Sequence, residues 1–188
     1  MGRWSPDAGG RLAQAAFELF MERGYEQTTV ADIAKRAGLT ERTFFRYFTD
    51  KREVFFHGAE SLKAEMLRAL AEVPADCSTI EAVQIAAEAI ASVMRGRKKF
   101  STERSRVVAA HADLQERELI KRAGLTSALA QALRERGVTE PSASYAADMG
   151  LAVFHIGFAT WIAESEEREL VDVVREGFAQ LKAVASGG

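Results

Sequence analysis

Between Glu41 and Phe48 the chain reads ERTFFRYF, a stretch dense in side chains that make directional contacts. Phe44 and Phe48 are four residues apart and share one face of a helix. An aromatic pair so spaced is expected in a core, which pushes Arg42, Thr43, Phe45, Arg46 and Tyr47 outward. That outward set suits the edges of base pairs. Arginine can take guanine through two parallel hydrogen bonds, threonine can meet a thymine methyl, and a glutamate such as Glu41 can accept from cytosine N4. The chemistry implied is recognition of double-stranded DNA by a short helix in the major groove.

A helix this short needs bracing. Just upstream, Thr29 with Asp32 three residues on forms a capping box, predicting a helix over 30–37 with Ile33 and Ala37 inward. Ala34 and Gly38 provide a small residue for close helix packing and a left-handed residue for the turn, the two needs of a helix-turn-helix. Thr40 caps the next helix, 41–48. Before them, Leu12, Ala16, Leu19 and Phe20 mark a helix over 11–23, stopped by Gly24. Ser5 and Pro6 could start it earlier. After them, Asp50 and Glu53 predict one long helix over 51–72, which places Lys51 in its first turn beside backbone amides that favour an anion. Ser78 and Glu81 open a fifth helix with the stripe Ile80, Val83, Ala87, Ile90, Met94. Further helices are predicted over 101–111, from Asp113 (capping with Glu116) to near Gly137, over 142–164, and from a Ser165 cap to about 184.

Composition agrees with an all-α chain. There are 188 residues and three prolines, 47% are hydrophobic and 28% charged, and the formal net charge is −2. Residues 1–52 carry nine Lys/Arg against seven Asp/Glu, while the rest is net acidic. A nearly neutral protein still binds DNA when its cations share a face. Cys77 is the only cysteine, which leaves no internal disulfide or cysteine-based zinc site and fits a reducing compartment. No basic-plus-apolar leader opens the sequence. The apolar run from Gly150 to Ala163 is shorter than the roughly 20 residues a bilayer requires. The expectation is a cytoplasmic protein without a membrane partner.

Gly24-Tyr25, Thr28-Thr29-Val30, Ile33-Ala34, Ala37-Gly38-Leu39, Thr43-Phe44-Phe45-Arg46-Tyr47-Phe48 and Lys51 resemble the N-terminal signature of the tetracycline-repressor (TetR) family. The resemblance covers roughly residues 8–60. It implies a DNA-binding domain over 8–67, with the helix-turn-helix at about 30–49 and the fourth helix shared with a ligand-binding and dimerisation domain over 68–188. It also implies that Thr29, Tyr47 and Lys51 hold phosphates and that Glu41, Arg42, Thr43 and Arg46 approach base edges; Thr40 and Phe45 complete the DNA-facing set. Two positions depart from the family pattern. Phe45 stands where tyrosine is common and lacks its hydroxyl, and Ala31 stands where a longer, often cationic, side chain is frequent. Arg3 and Arg11 are further candidates for the DNA backbone or minor groove.

The C-terminal half has no signature of its own. Its eighth helix is apolar almost all round, as when a helix is buried on more than one side. Gly150 and Gly157 there, with Leu170, Val174, Gly177, Phe178 and Leu181 on the ninth, are expected at the interface of a homodimer built as a four-helix bundle. By family resemblance a small, largely apolar ligand binds inside this body. Phe100, His111, Tyr145, Met149, Phe154, His155, Phe158 and Trp161 are candidates to line its site, though each taken singly reads first as a core residue. No metal-ligand spacing, phosphate loop or nucleophile–base pair is present, so no cofactor and no enzymatic activity are expected. The basic run 95–106 reads as a solvated loop, or as a seat for an anionic head group or flanking phosphate. The function implied is a homodimeric regulator on a palindromic operator, most simply a repressor released by its ligand. An architectural DNA binder without ligand shares the same motif, and a helical enzyme is the third class.

Overall fold

The computed structural model describes residues 7–165 and 167–187. Among them are nine α-helices and no strand: α1 (Ala8–Arg23), α2 (Val30–Arg36), α3 (Glu41–Tyr47), α4 (Ala59–Glu72), α5 (Thr79–Val93), α6 (Lys98–Ala110), α7 (Ala112–Glu135), α8 (Ser142–Ala163) and α9 (Leu170–Ala185). A 3₁₀ turn, Glu53–Phe56, precedes α4. The chain divides into two compact units. One holds the residues up to Ala59 together with Arg104–Glu118, the other Glu60–Glu103 and everything from Leu119 on.

The caps explain most helix boundaries. Thr29 and Asp32 form the expected reciprocal box at the start of α2, and Ser78 and Glu81 do so at α5. Asp7 caps α1, its carboxylate accepting from the Gly10 amide at 3.0 Å; the expected starters Ser5 and Pro6, like Arg3, lie outside the described residues. Three expectations are corrected. The single helix over 51–72 is broken because Gly58 sits at φ 94°, outside helical space. Asp50 therefore caps the 3₁₀ turn, accepting from the amides of Arg52 and Glu53. Asp113 accepts from the Tyr25 hydroxyl at 3.1 Å, and Ala112 begins α7. Ser165 does not cap α9, which starts at Leu170 after Glu169, and the preceding link is held by Trp161, whose indole N–H donates to the Arg168 carbonyl at 2.7 Å.

The first unit closes around Leu12, Ala16, Leu19, Phe20, Tyr25, Ile33, Phe44, Phe48 and Phe55. Val108 and Leu114, from the α6–α7 corner, complete this core, and local sequence gives no sign of it. The corner is tied down by two arginines. Arg104 donates to the Phe55 carbonyl at 2.8 Å and pairs with Glu118, and Arg117 pairs with Glu53. Arg104 of the basic run is thus a structural tie rather than a solvated loop residue.

In the second unit α5, α8 and α9 meet over Val83, Ile90, Leu151, Phe154, Trp161, Val174 and Phe178. Met66 and Leu70 of α4 and Leu129 and Leu133 of α7 belong to the same core. Arg136 grips the end of α4, donating to the carbonyls of Leu70, Val73 and Pro74. The residues expected at a dimer interface are used here instead. Gly150, Gly157, Leu170, Val174 and Phe178 are buried within the chain, and Leu181 packs on the same core. A Cβ at Gly150 would fall on the Val83 side chain, and one at Gly177 would come within 2.8 Å of Val153. The glycines let helices of one chain approach. What α8 leaves exposed is a different stripe, Tyr145, Met149, Ala152 and Ile156. With 22 residues α8 is, by length and composition, able to cross a membrane, because the helix extends beyond the apolar run read from sequence. Its buried face, from Ala143 to Trp161, places it as a core helix of this unit.

Candidate nucleic-acid interface

The first unit holds α3 out on two anchors. Phe44 is fully buried and Phe48 6% exposed, with ring centroids 5.3 Å apart. Losing either ring would cost about 3–5 kcal/mol, so the rotation of α3 about its axis is fixed. The turn before it is equally determined. Gly38 takes φ 66°, the Leu39 amide donates to the Ala34 carbonyl at 2.8 Å, and the Arg11 guanidinium donates to the Ala37 carbonyl. Arg11, a candidate for DNA contact, is instead a brace at the turn. Arg36 joins α2 to α1 through Glu22 and Glu18, and Arg23 reaches Asp32 at 2.7 Å.

From this base α3 presents Thr40, Glu41, Arg42, Phe45, Arg46 and Tyr47 to solvent, with Thr43 half-buried. Thr40 is occupied: its hydroxyl accepts from the Thr43 amide and lies 3.0 Å from the Thr43 hydroxyl. Arg46 lies over the Tyr47 ring, 5.1 Å from its centroid. Arg42 has no hydrogen-bond or ion-pair partner among the described residues, which leaves its fork of donors available. Glu41, Arg42, Phe45 and Arg46 thus form a surface of one acid, two cations and one apolar ring on a single helix face.

Two residues expected to hold phosphates have other work. The Thr29 hydroxyl accepts from the Asp32 amide and donates to the Asp32 carboxylate at 2.5 Å, and its own amide donates to the same carboxylate. These bonds, with Arg23 adding to them, hold the Asp32 carboxyl down at about 2. The Lys51 ammonium donates to the carbonyls of Tyr25 at 3.0 Å and Thr28 at 3.4 Å, and sits 4.2 Å above the Tyr25 ring. It precedes the 3₁₀ turn and clamps the α1–α2 loop. Tyr25 itself is buried among Phe20, Phe55 and His111; burial, then the Asp113 carboxylate, pushes its hydroxyl well above the usual tyrosine range. Arg11, Tyr25, Lys51 and Arg104 owe these roles to partners far away in sequence, so no local pattern announces them.

The candidates for a ligand site do not converge. His111 lies in the first unit, against Tyr25 and bonded through Nδ1 to the Val107 carbonyl. The other seven are in the second unit. Phe154 and Trp161 are buried in its core, with Phe158 packed on it; Phe100 is 43% exposed; Tyr145 and Met149 line an open groove with Ile80 and Leu181. His155 rests against Phe154.

Residues 12–57 match the model for bacterial regulatory proteins of the tetR family. Over 85 residues the chain is 36% identical to the HTH-type transcriptional regulator TcmR of Streptomyces glaucescens, covering 45% of this chain and 38% of that protein. Over 90 residues it is 34% identical to an uncharacterized HTH-type transcriptional regulator of Mycobacterium bovis, covering 48% and 46%. The chain thus matches less than half the length of these relatives. Similarity of fold extends further. The transcriptional regulator FadR from Bacillus subtilis, solved in complex with stearoyl-CoA, superposes with a TM-score of 0.66 at 20% identity, covering 92% of this chain and 96% of that one. The fatty acid degradation regulator FadR from Bacillus halodurans gives 0.65 at 18%, covering 95% and 96%.

Proposed function

We propose, from the premise that its N-terminal segment belongs to the tetR family of bacterial regulatory proteins, that this chain is a homodimeric, sequence-specific transcriptional regulator. In this reading it works in the cytoplasm on a palindromic operator. The observation that carries the reading is the face of α3: Glu41, Arg42, Phe45 and Arg46 exposed together on a helix whose rotation is fixed by Phe44 and Phe48. Arg42 and Arg46 read base edges, and Tyr47, exposed beside Arg46, meets a phosphate. One such face is half a site. Two recognition helices need centres about 34–36 Å apart to enter successive grooves, and the exposed stripe Tyr145, Met149, Ala152 and Ile156 on α8 supplies the surface on which two copies join.

Repression released by a ligand follows if the ligand and the operator favour different arrangements of the dimer; each then weakens the other by the same factor. The FadR likeness supports a long acyl chain as the first ligand class to try. A second reading is favoured by one observation. Met66, Leu70, Ile90, Leu129, Leu133 and Trp161 are all at most 1% exposed, so these large side chains are spent on packing against one another rather than on a ligand. A DNA binder without a small-molecule effector needs no more than that.

Selection of duplexes from a random pool by the purified chain tests the reading. A palindromic sequence should be enriched and bound as a dimer at moderate salt; binding no tighter than to random duplex overturns it. Addition of saturated acyl-CoA thioesters to that complex should release the DNA, and indifference to them at every chain length favours the effector-free reading.

A further inference from the structure

We propose that Phe45 reads thymine: its ring takes the 5-methyl group of one thymine per half-site in the major groove. The inference rests on the DNA-binding reading and names a base feature that reading leaves open. Phe45 is 55% exposed, the most exposed large apolar side chain among the described residues of the first unit. It is not a loose ring. It packs edge-on against Phe44, with centroids 5.5 Å apart and planes at 83°, and Phe44 is fully buried. A rigid base therefore holds an apolar surface outward at a fixed place on α3.

The surroundings decide what can cover it. Glu41 and Arg42 precede Phe45 by four and three residues and share its face, and Arg46 follows it; all three are exposed. A single ring ringed by charges is far smaller than the apolar patches that mark protein or membrane contacts. Phenylalanine has neither donor nor acceptor, so phosphate oxygens and the polar edges of bases gain nothing from it. Among the groups a base pair shows in the major groove, the thymine methyl is the apolar one. Arg42 and Arg46, one turn apart along the same side of the ring, are placed to bond polar edges of neighbouring base pairs while the ring covers the methyl.

The test uses the full chain and the duplex it selects from a random pool. Each thymine is replaced singly by deoxyuridine, which removes the methyl and leaves base pairing intact. Binding is compared for the wild type, Phe45→Ala and Phe45→Leu, each with its melting curve. At one thymine per half-site the wild type should weaken about fourfold, the effect of burying one methyl-sized group. Phe45→Ala should bind more weakly throughout and be indifferent to deoxyuridine at that position, while Phe45→Leu should retain part of the response. If the wild type and Phe45→Ala respond alike to every replacement, the proposal is wrong and Phe45 serves only to steady Phe44. If Phe45→Ala melts early, the comparison of wild type with Phe45→Leu decides in the same way: equal responses at all thymines overturn it. Failure to enrich any duplex overturns the DNA-binding reading itself.

Discussion

Phe44 and Phe48 look inward, and what Arg42 can do follows from that. Arg42 projects from the outer face of α3 with its donors uncommitted among the described residues. Arg42→Ala is expected to cost about 1–3 kcal/mol in operator affinity and to relax base preference at one position, which competition binding against single-base variants of the site would measure. Lys51 is different, because its ammonium already serves two carbonyls and a ring across the α1–α2 loop. Lys51→Met should speed hydrogen exchange at the Thr28 and Thr29 amides and lower the melting temperature. The slope of log affinity against log salt should stay as in the wild type, whereas loss of a phosphate contact would reduce it by about 1.

At the scale of the helix, α2 depends on its N-terminal box. Thr29→Ala is expected to destabilise the first unit by about 1 kcal/mol in denaturant titrations at neutral pH. Acid should narrow the difference, because the Thr29 hydroxyl's bond to the Asp32 carboxylate depends on the ion while its bond from the Asp32 amide does not. The Asp32 carboxyl ionises at about 2 in the folded chain against an ordinary 3.8. Its contribution is therefore complete above pH 3.8 and lost as pH falls through about 2. The gap between wild type and Thr29→Ala should shrink across that window; a constant gap would mean that the Thr29 hydroxyl's bond to the carboxylate contributes nothing to stability. Helix α8 tests packing rather than capping. Gly150→Ala places a methyl on Val83, and overpacking of this kind typically costs about 1–3 kcal/mol. A lowered melting temperature with unchanged oligomeric state is the expected result, since Gly150 faces its own chain.

For the whole molecule, the proposed dimer puts α8's outer stripe at the subunit boundary. Ile156 is 68% exposed and Met149 41%. The double substitution Met149→Glu, Ile156→Glu should yield a folded monomer by sedimentation, with helical content intact. It should also lose cooperative binding to the palindrome while keeping weak, salt-sensitive binding to a half-site, because the exposed cations of α3 belong to each chain's own first unit. A double variant that remains dimeric would place the boundary elsewhere.

Local chemistry made much of this legible in the sequence. The capping boxes at Thr29 and Ser78, the turn at Gly38, the buried pair Phe44 and Phe48 and the outward set around Arg42 are all properties of residues within a few positions of each other. The all-α class and the position of α3 followed from them. Other features depended on distant partners. Lys51 became a loop clamp because Tyr25 and Thr28 present carbonyls to it, and Arg104 a tie because Phe55 does. Val108 and Leu114 entered the first unit's core, and the glycines and apolar stripes of α8 and α9 were taken up by each other and by α5. An amphipathic pattern states that a face is buried, not against what. Only the tertiary structure assigned that partner, since the hydrophobic effect rewards removal of apolar surface from water whichever surface covers it.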